Sequence, residues 1–353
     1  MTTQIKSVPE NRTPWLGRSS AQNRTIALAS VIPAVIAIAL SQAFHIAGVI
    51  ALVLIFLPLQ LIFAGVAGYR TRGRIGVPDA LLSVAVYFAV ALVLILLGSI
   101  VQTLIVRGSH ALRPSFILQN NHYVSLGTPL EYGGAGHAVL GTLVVVGVST
   151  IITVPFGIAI AIYLTETNGR LRGFVRTIVQ SMSGLPSIVS GLFIYAALIL
   201  SGVSSQIGFT GSLALSLLML PTVARTAEEV LKLVPGDLRW AAVALGASRK
   251  AAFFQVILPA ARAGIVTAIL LGVARVIGET APLLMTTIPT TDTNANPFSG
   301  QITTMPTYVY RYVTDPHDSL QHRAWAASLL MMIIVAIIFV AARIASSRSG
   351  LKK

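Results

Sequence analysis

Eight apolar stretches, each long enough as a helix to cross a lipid bilayer, leave this chain of 353 residues with one class of fold. A helix rises about 1.5 Å per residue, so roughly 20 apolar residues match the hydrocarbon thickness. The stretches centre on Ile26 to Phe44, Ile46 to Val66, Ala80 to Val106, Ala138 to Leu164, Ile178 to Leu200, Gly211 to Ala227, Gly264 to Met285 and Ala324 to Ile344. Hydrophobic residues make up 55% of the chain and charged ones 10%, too apolar a balance for a water-soluble domain of this length. The expected fold is an all-α integral membrane protein, a polytopic helical bundle of eight spans. The first stretch follows a polar tail and lacks a small-residue cleavage site, so it reads as a retained span and not a signal peptide. No cysteine occurs, which excludes disulfide staples, thiol redox chemistry and thiolate metal sites.

Basic residues orient the spans, because cytoplasmic loops hold most of the Lys and Arg of a membrane protein. Placing the N-terminus inside puts twenty of the 25 basic residues on the cytoplasmic side, among them Arg70, Arg72, Arg74, Arg170, Arg249 and Lys250. Only Arg107, Arg113, Arg311 and Arg323 then lie outside, and Arg275 falls within a span. Both termini are expected in the cytoplasm. The formal charge of +14 is spread over helix ends and not gathered on one patch, so it indicates topology and no nucleic-acid partner.

The first two spans, joined by a tight turn near His45 and followed by the basic, glycine-rich linker Gly68 to Val77, form an accessory hairpin. The expected division is a cytoplasmic tail over 1–25, the hairpin and linker over 26–77, a six-span core over 78–345 and a second tail over 346–353. Within the core, Pro155, Pro186, Pro221 and Pro282 each remove a helix hydrogen bond. A broken helix in a membrane is tolerated only where protein or a water-filled cavity satisfies its backbone, so four prolines in one core point to a pathway.

Between the sixth and seventh spans lies the basic segment Trp240 to Pro259. Leu238, Ala241, Ala242 and Leu245 recur at helical spacing, and Gly246 stands where a helix needs a left-handed terminator. A second short helix is expected to follow, with Ala252, Phe253 and Val256 on its apolar side and Arg249, Lys250 and Gln255 in water, closed by Pro259 before the next span. Two short helices at a bend make a surface knob. The spacing resembles the EAA loop of binding-protein-dependent ABC importer permeases: an alanine pair, three residues, a glycine, nine residues, then Val256, Leu258 and Pro259. In that family the loop fits a groove on an ATPase subunit. The resemblance therefore implies ATPase coupling through Ala241, Ala242, Gly246, Arg249, Lys250, Leu258 and Pro259, in a coupling loop over 229–260. Trp240 stands where the family usually carries glutamate, a departure from its pattern.

In the seventh span, Gly272, Arg275, Gly278, Glu279 and Pro282 fall at helical spacing, so the guanidinium and the carboxylate are expected on one face. Each charge at mid-span costs about 2.5 to 3.5 kcal/mol, against roughly 0.3 to 0.6 gained by each of the Leu, Ile and Val residues around it. Such a span is marginal alone and should pack its charged face on other helices. Arg before Glu is the poorer order for a helical pair, so the two are expected to have partners beyond each other. A structural ion pair is the plain reading. An anion pathway is the functional one, with Arg275 forking onto an oxyanion and Glu279 accepting a hydrogen bond from the P–OH of phosphate.

The run Gly278-Glu279-Thr280-Ala281-Pro282-Leu283-Leu284 resembles the signature of phosphate ABC importer permeases. So do Arg225 to Leu231, Leu233-Val234-Pro235 and Gly184 to Val189. The likeness runs from about Ala80 to Ile344 and leaves the hairpin as an addition. It implies a type I permease core, with a transmembrane domain at about 136–344, and Arg225, Arg275 and Glu279 on the transport pathway. It further implies a second, related permease subunit, a dimer of a cytoplasmic ATPase subunit and an extracytoplasmic phosphate-binding protein, together in a bacterial plasma membrane. ATP and magnesium would belong to the ATPase, and no cofactor to this chain.

No G-x-x-x-x-G-K-[ST] loop occurs, so the chain is expected to be a transport subunit and not an enzyme. One rival is an importer of this architecture for sulfate or molybdate. Another is a secondary transporter using Glu279 as a proton carrier, for which the knob has no purpose. An intramembrane enzyme is disfavoured, because no nucleophile and base pair lies within the spans. Glu228 and Glu229 read as a solvated helix end, and the six histidines (His45, His110, His122, His137, His317, His322) as surface residues of external segments. Tyr308, Tyr310 and Tyr312 read as an interfacial aromatic belt.

Overall fold

The computed structural model describes residues 20–45, 50, 52–167 and 169–348, so most of the tails expected over 1–25 and 346–353 lies outside the described residues. Among the described residues every regular element is helical: α1 (Ser20–Ala43), α2 (Leu57–Arg72), α3 (Gly76–Gly108), α4 (Pro114–Leu118), α5 (Gly136–Glu166), α6 (Arg172–Ser183), α7 (Ser187–Ile194), α8 (Gly208–Leu233), α9 (Gly236–Ala244), α10 (Arg249–Ala252), α11 (Leu258–Ile277), α12 (Ala281–Thr286), α13 (Met305–Val313) and α14 (Asp318–Arg348). The chain divides into two compact units, Met1–Val101 and Gln102–Lys353.

Among the described residues, five helical stretches are long and apolar enough to cross a membrane: Val53–Gly108, Gly136–Glu166, Gly208–Leu233, Arg249–Ile277 and Asp318–Ala341. Arg172–Ser183 with Ser187–Ile199 makes a sixth if its bend of 107° is counted as one broken span. The expected eight are not reached by this measure. Two expected spans share Val53–Gly108, which turns back at Gly73, and the apolar part of α1, Ala27–Ala43, is a shorter helix.

In the second unit α8 is the most enclosed of these helices. Leu215, Leu218, Met219, Val223, Ala224 and Ala227 are all buried in it, and α5 and α11 pack along its length. Small residues permit this, because helices in lipid associate by close packing and interhelical hydrogen bonds. The Ser212 hydroxyl donates to the Val145 carbonyl at 3.0 Å, and Ser216 meets Ser149 at 3.2 Å. At Gly272 a β-carbon would lie 2.6 Å from Val223 Cγ2, so α11 sits against α8 as closely as side chains allow.

The four core prolines behave in two ways. Pro155 and Pro221 lie inside continuous helices, whereas Pro186 and Pro282 stand where helices restart after a break. The seventh span is thereby corrected. α11 stops at Ile277, Gly278 caps it, the Glu279 N–H turns back to the Val276 carbonyl at 3.1 Å, and α12 begins at Ala281. A proline at 282 has no N–H to offer the Gly278 carbonyl and its ring crowds that carbonyl, and with Gly278 at the preceding turn this favours the break. Arg275 and Glu279 are therefore not on successive turns of one helix.

Candidate translocation and coupling sites

Both breaks lead into one packed region. Gly191 of α7 lies against the backbone of α12, where a β-carbon would stand 2.6 Å from Pro282 Cα. Thr210 Oγ1 at the start of α8 donates to the Thr286 carbonyl at 2.8 Å, and Gln206 Nε2 donates to the Met285 carbonyl at 2.9 Å. The halves of two spans that follow the breaks are thus held side by side against α8. Arg275, in the last turn of α11, is exposed, and Glu279, at the break, is half-buried. A cation in that last turn suits the negative end of the helix dipole. Among the described residues, neither side chain has a hydrogen bond or ion-pair partner.

Arg225 lies elsewhere. It is exposed on α8, without a side-chain partner among the described residues, and lines a cavity of about 260 Å³ with Arg176, Gln180, Glu228, Glu229 and Lys232. Arg275 and Glu279 do not line this cavity, so the structure pairs neither with Arg225. Glu228, expected in solvent, is instead 6% exposed and accepts from Arg176 Nη2 at 2.8 Å and Lys232 Nζ at 2.6 Å. Adjacent helical residues point apart, so Glu229 stays exposed while Glu228 turns toward α6.

The knob begins as its sequence indicates. α9 ends at Ala244, and Gly246 takes a left-handed φ of +89°, which only glycine adopts without strain. The Ala247 N–H returns to the Ala242 carbonyl at 3.0 Å and the Gly246 N–H to the Val243 carbonyl at 2.9 Å, closing the helix end. Ser248 caps the next turn by accepting from the Ala251 N–H at 3.2 Å. The second helix is not closed by Pro259, which is a correction. A π-helical turn, Phe253–Ile257, carries α10 into α11, so Arg249–Ile277 is one continuous rod. Pro259 follows directly on that π-helical turn, whose altered hydrogen-bond register accommodates its missing N–H.

The knob is rooted on one side and bare on the other. Ala252, Phe253 and Ile257 are buried with Ala161, Ala227 and Leu231, and Arg239 pairs with Glu166 at 2.6 Å at the end of α5. Trp240 is 69% exposed and Leu245 89%, with Leu238, Val243 and Phe254 also in the open. Arg249, Lys250 and Gln255 are exposed beside them, as expected. Apolar side chains left bare on a polar bend are the kind of surface that commonly meets a partner.

At the opposite end of the unit stands a cluster that sequence reasoning missed. Arg323 is fully buried and donates to the carbonyls of Tyr132 (2.7 Å), Pro129 (3.0 Å) and Thr128 (3.3 Å). Asn121 Nδ2 donates to the Tyr308 hydroxyl at 3.0 Å, and the Asn121 N–H reaches the Thr291 carbonyl at 3.3 Å. Tyr308 is therefore core and not an aromatic belt, and burial holds its phenol well above the ordinary value. His137, expected at the surface, is buried against the Tyr308 ring. His122 does stay exposed, pairing with Asp292. Arginine at the lip of an apolar run, beside Ala324 and Trp325, reads like the other basic span ends, so the sequence carries no distinct signal for its burial.

A family model described as "Binding-protein-dependent transport system inner membrane component" matches residues 153–349. The phosphate transport system permease protein PstA 1 of Mycobacterium tuberculosis (strain ATCC 25618 / H37Rv) is 41% identical over 60% of this chain and 68% of its own length. The phosphate transport system permease protein PstA of Haemophilus influenzae is 36% identical over 70% of this chain and 86% of its own. A solved structure described as inward facing conformations of the MetNI methionine ABC transporter aligns with 61% of this chain and 94% of its own at 20% identity, with a TM-score of 0.48. The matched region holds both broken spans, α8, the knob and Arg275 with Glu279, and the chain belongs to the family of binding-protein-dependent transport system inner membrane components.

Proposed function

We propose that this chain is a permease subunit of an ATP-driven importer of inorganic phosphate. The likeness to the Haemophilus phosphate permease, 36% identical across 86% of that protein, carries the reading. The geometry supports it in two places. Arg275 and Glu279 flank a helix break and lack partners of their own, so their faces need either protein or a water-filled path beside them. A related second permease subunit supplies that cover, and a phosphate ion passing between the subunits meets the Arg275 guanidinium while Glu279 accepts its remaining P–OH.

In this reading the bare apolar side of the knob seats in a cytoplasmic ATPase subunit, two copies of which bind ATP and magnesium and supply the energy. The chain itself holds no cofactor and catalyses no reaction. Continuity of Arg249 with Ile277 makes the coupling mechanical, because a push at Trp240, Leu245 or Arg249 moves the rod that ends at Arg275. An extracytoplasmic phosphate-binding protein delivers the solute from the opposite face. The setting is a bacterial plasma membrane with both termini in the cytoplasm. Reconstituting the complex in proteoliposomes tests this: ATP-dependent uptake of labelled phosphate but not sulfate is expected, and uptake that survives ATP depletion contradicts it.

A further inference from the structure

The first unit lies outside the family match at 153–349 and carries a cavity of its own. α2 and α3 are joined by the short turn Gly73–Ile75 and double back. A β-carbon on Gly68 would collide with the Gly76 carbonyl, and one on Gly76 with the Gly68 carbonyl, so the two backbones touch at this end. Among the described residues of this unit, the buried apolar side chains are alanines and one proline: Ala29, Pro33, Ala37, Ala64 and Ala67. Small side chains leave room, and a cavity of about 290 Å³ opens among α1, α2 and α3. It extends from Arg72 and Asp79 near the turn to Gln60 on α2 and Tyr87 on α3. Twelve residues of helix separate Arg72 from Gln60, about 18 Å of depth.

Its polar groups change with depth. At the mouth Arg72 Nη1 and Asp79 Oδ2 stand 3.6 Å apart, beyond hydrogen-bonding distance, with both side chains more than half exposed. A pair so loose contributes little by itself. Deeper, Gln60 Oε1 is buried, and among the described residues no donor reaches it. The turn joins two membrane-crossing runs, which sets Arg72 and Asp79 at a bilayer face, at the level of lipid headgroups.

We propose that this cavity binds a zwitterionic phospholipid with a primary ammonium, its phosphate on Arg72, its ammonium on Asp79 and an acyl chain over Ala64, Ala67 and Ala80. Charge complementarity selects this occupant. An anionic head meets Arg72 but sets its charge against Asp79, whereas a head with both signs replaces the loose pair by two charge-assisted hydrogen bonds. A quaternary ammonium has no N–H to give Asp79. Free phosphate meets Arg72 alone and leaves the alanine stripe of Ala64, Ala67 and Ala80 uncovered.

The test uses the full chain, delipidated in detergent, with short-chain phosphatidylethanolamine, phosphatidylcholine, phosphatidylglycerol and inorganic phosphate titrated separately by native mass spectrometry. Phosphatidylethanolamine should bind at least about tenfold more tightly than the other three. Asp79→Asn, at an exposed position, should erase the preference over phosphatidylglycerol. Ala67→Leu, which fills the cavity, should abolish tight binding with both charges intact. Equal affinity for the two lipids, a preference that survives Asp79→Asn, or an equal response to inorganic phosphate would overturn the proposal.

Discussion

Replacing Arg323 with glutamine should release the segment between Gln119 and Tyr132 while leaving the long apolar helices in place. Three carbonyls of that segment, on Thr128, Pro129 and Tyr132, accept from the one guanidinium. A hydrogen bond to a charged group contributes about 1.5 to 3 kcal/mol net. The full sum overstates the loss, because Arg323 Nε is buried without a partner and the freed carbonyls can reach water at the surface. A local destabilisation of about 2 to 4 kcal/mol remains, which at about 1.4 kcal/mol per decade is an opening roughly 30 to 700 times more frequent. Amide hydrogen exchange of the purified protein reads this at Val124, whose N–H reaches the Asn121 carbonyl, and at Gly134, whose N–H reaches the Asn120 carbonyl. Exchange within about threefold of the unaltered protein would refute the reasoning, since the segment would then be held by its own packing.

Gly272→Leu should force α11 away from Val223 and Met219, costing about 1 to 3 kcal/mol as an overpacked contact. A lowered melting midpoint, partly restored by adding Val223→Ala, is the expected pattern. Glu228→Gln should cost only about 1 kcal/mol, because Arg176 and Lys232 are each about half exposed and find water when their partner goes; a loss of about 3 to 5 kcal/mol in thermal or chemical unfolding would mean that the cluster behaves as fully buried. Arg275→Gln and Glu279→Gln should each lower phosphate uptake with assembly unchanged. Exchanging the two charges should not restore it, because the break at Gly278 takes them off one helical face, and recovery of uptake in the exchanged protein would argue for a direct pair.

What the sequence made readable follows from the physics of lipid. The apolar runs, the left-handed Gly246 and the wet placement of Arg249, Lys250 and Gln255 depend on local composition and backbone preference, and those are written residue by residue. The knob's continuity with α11 was hidden, because proline reads as a stop and a π-helical turn that accommodates Pro259 leaves no mark in composition. Gly278 and Pro282 were both visible, yet helical spacing alone placed Arg275 and Glu279 on one face. Whether such a pair kinks a helix or ends it depends on what covers the freed carbonyls, here the packing of α12 on α7 and α8. Glu228, His137 and Tyr308 were misplaced, and the burial of Arg323 was missed, for a common reason. A polar residue near a span end looks solvated until a distant segment folds over it, and the partners of Arg323 and Tyr308 lie more than 180 residues away in sequence.

The chain has no cysteine, so a single Leu245→Cys substitution gives one reactive thiol on the bare side of the knob. Cross-linking that thiol to the ATPase subunit in inside-out membranes, with and without ATP, addresses the coupling role. The account predicts a cross-linked product whose yield changes when ATP is added and full protection from a membrane-impermeant thiol reagent applied from outside the cell. Labelling of Cys at this position from outside, with no ATPase product, would contradict it.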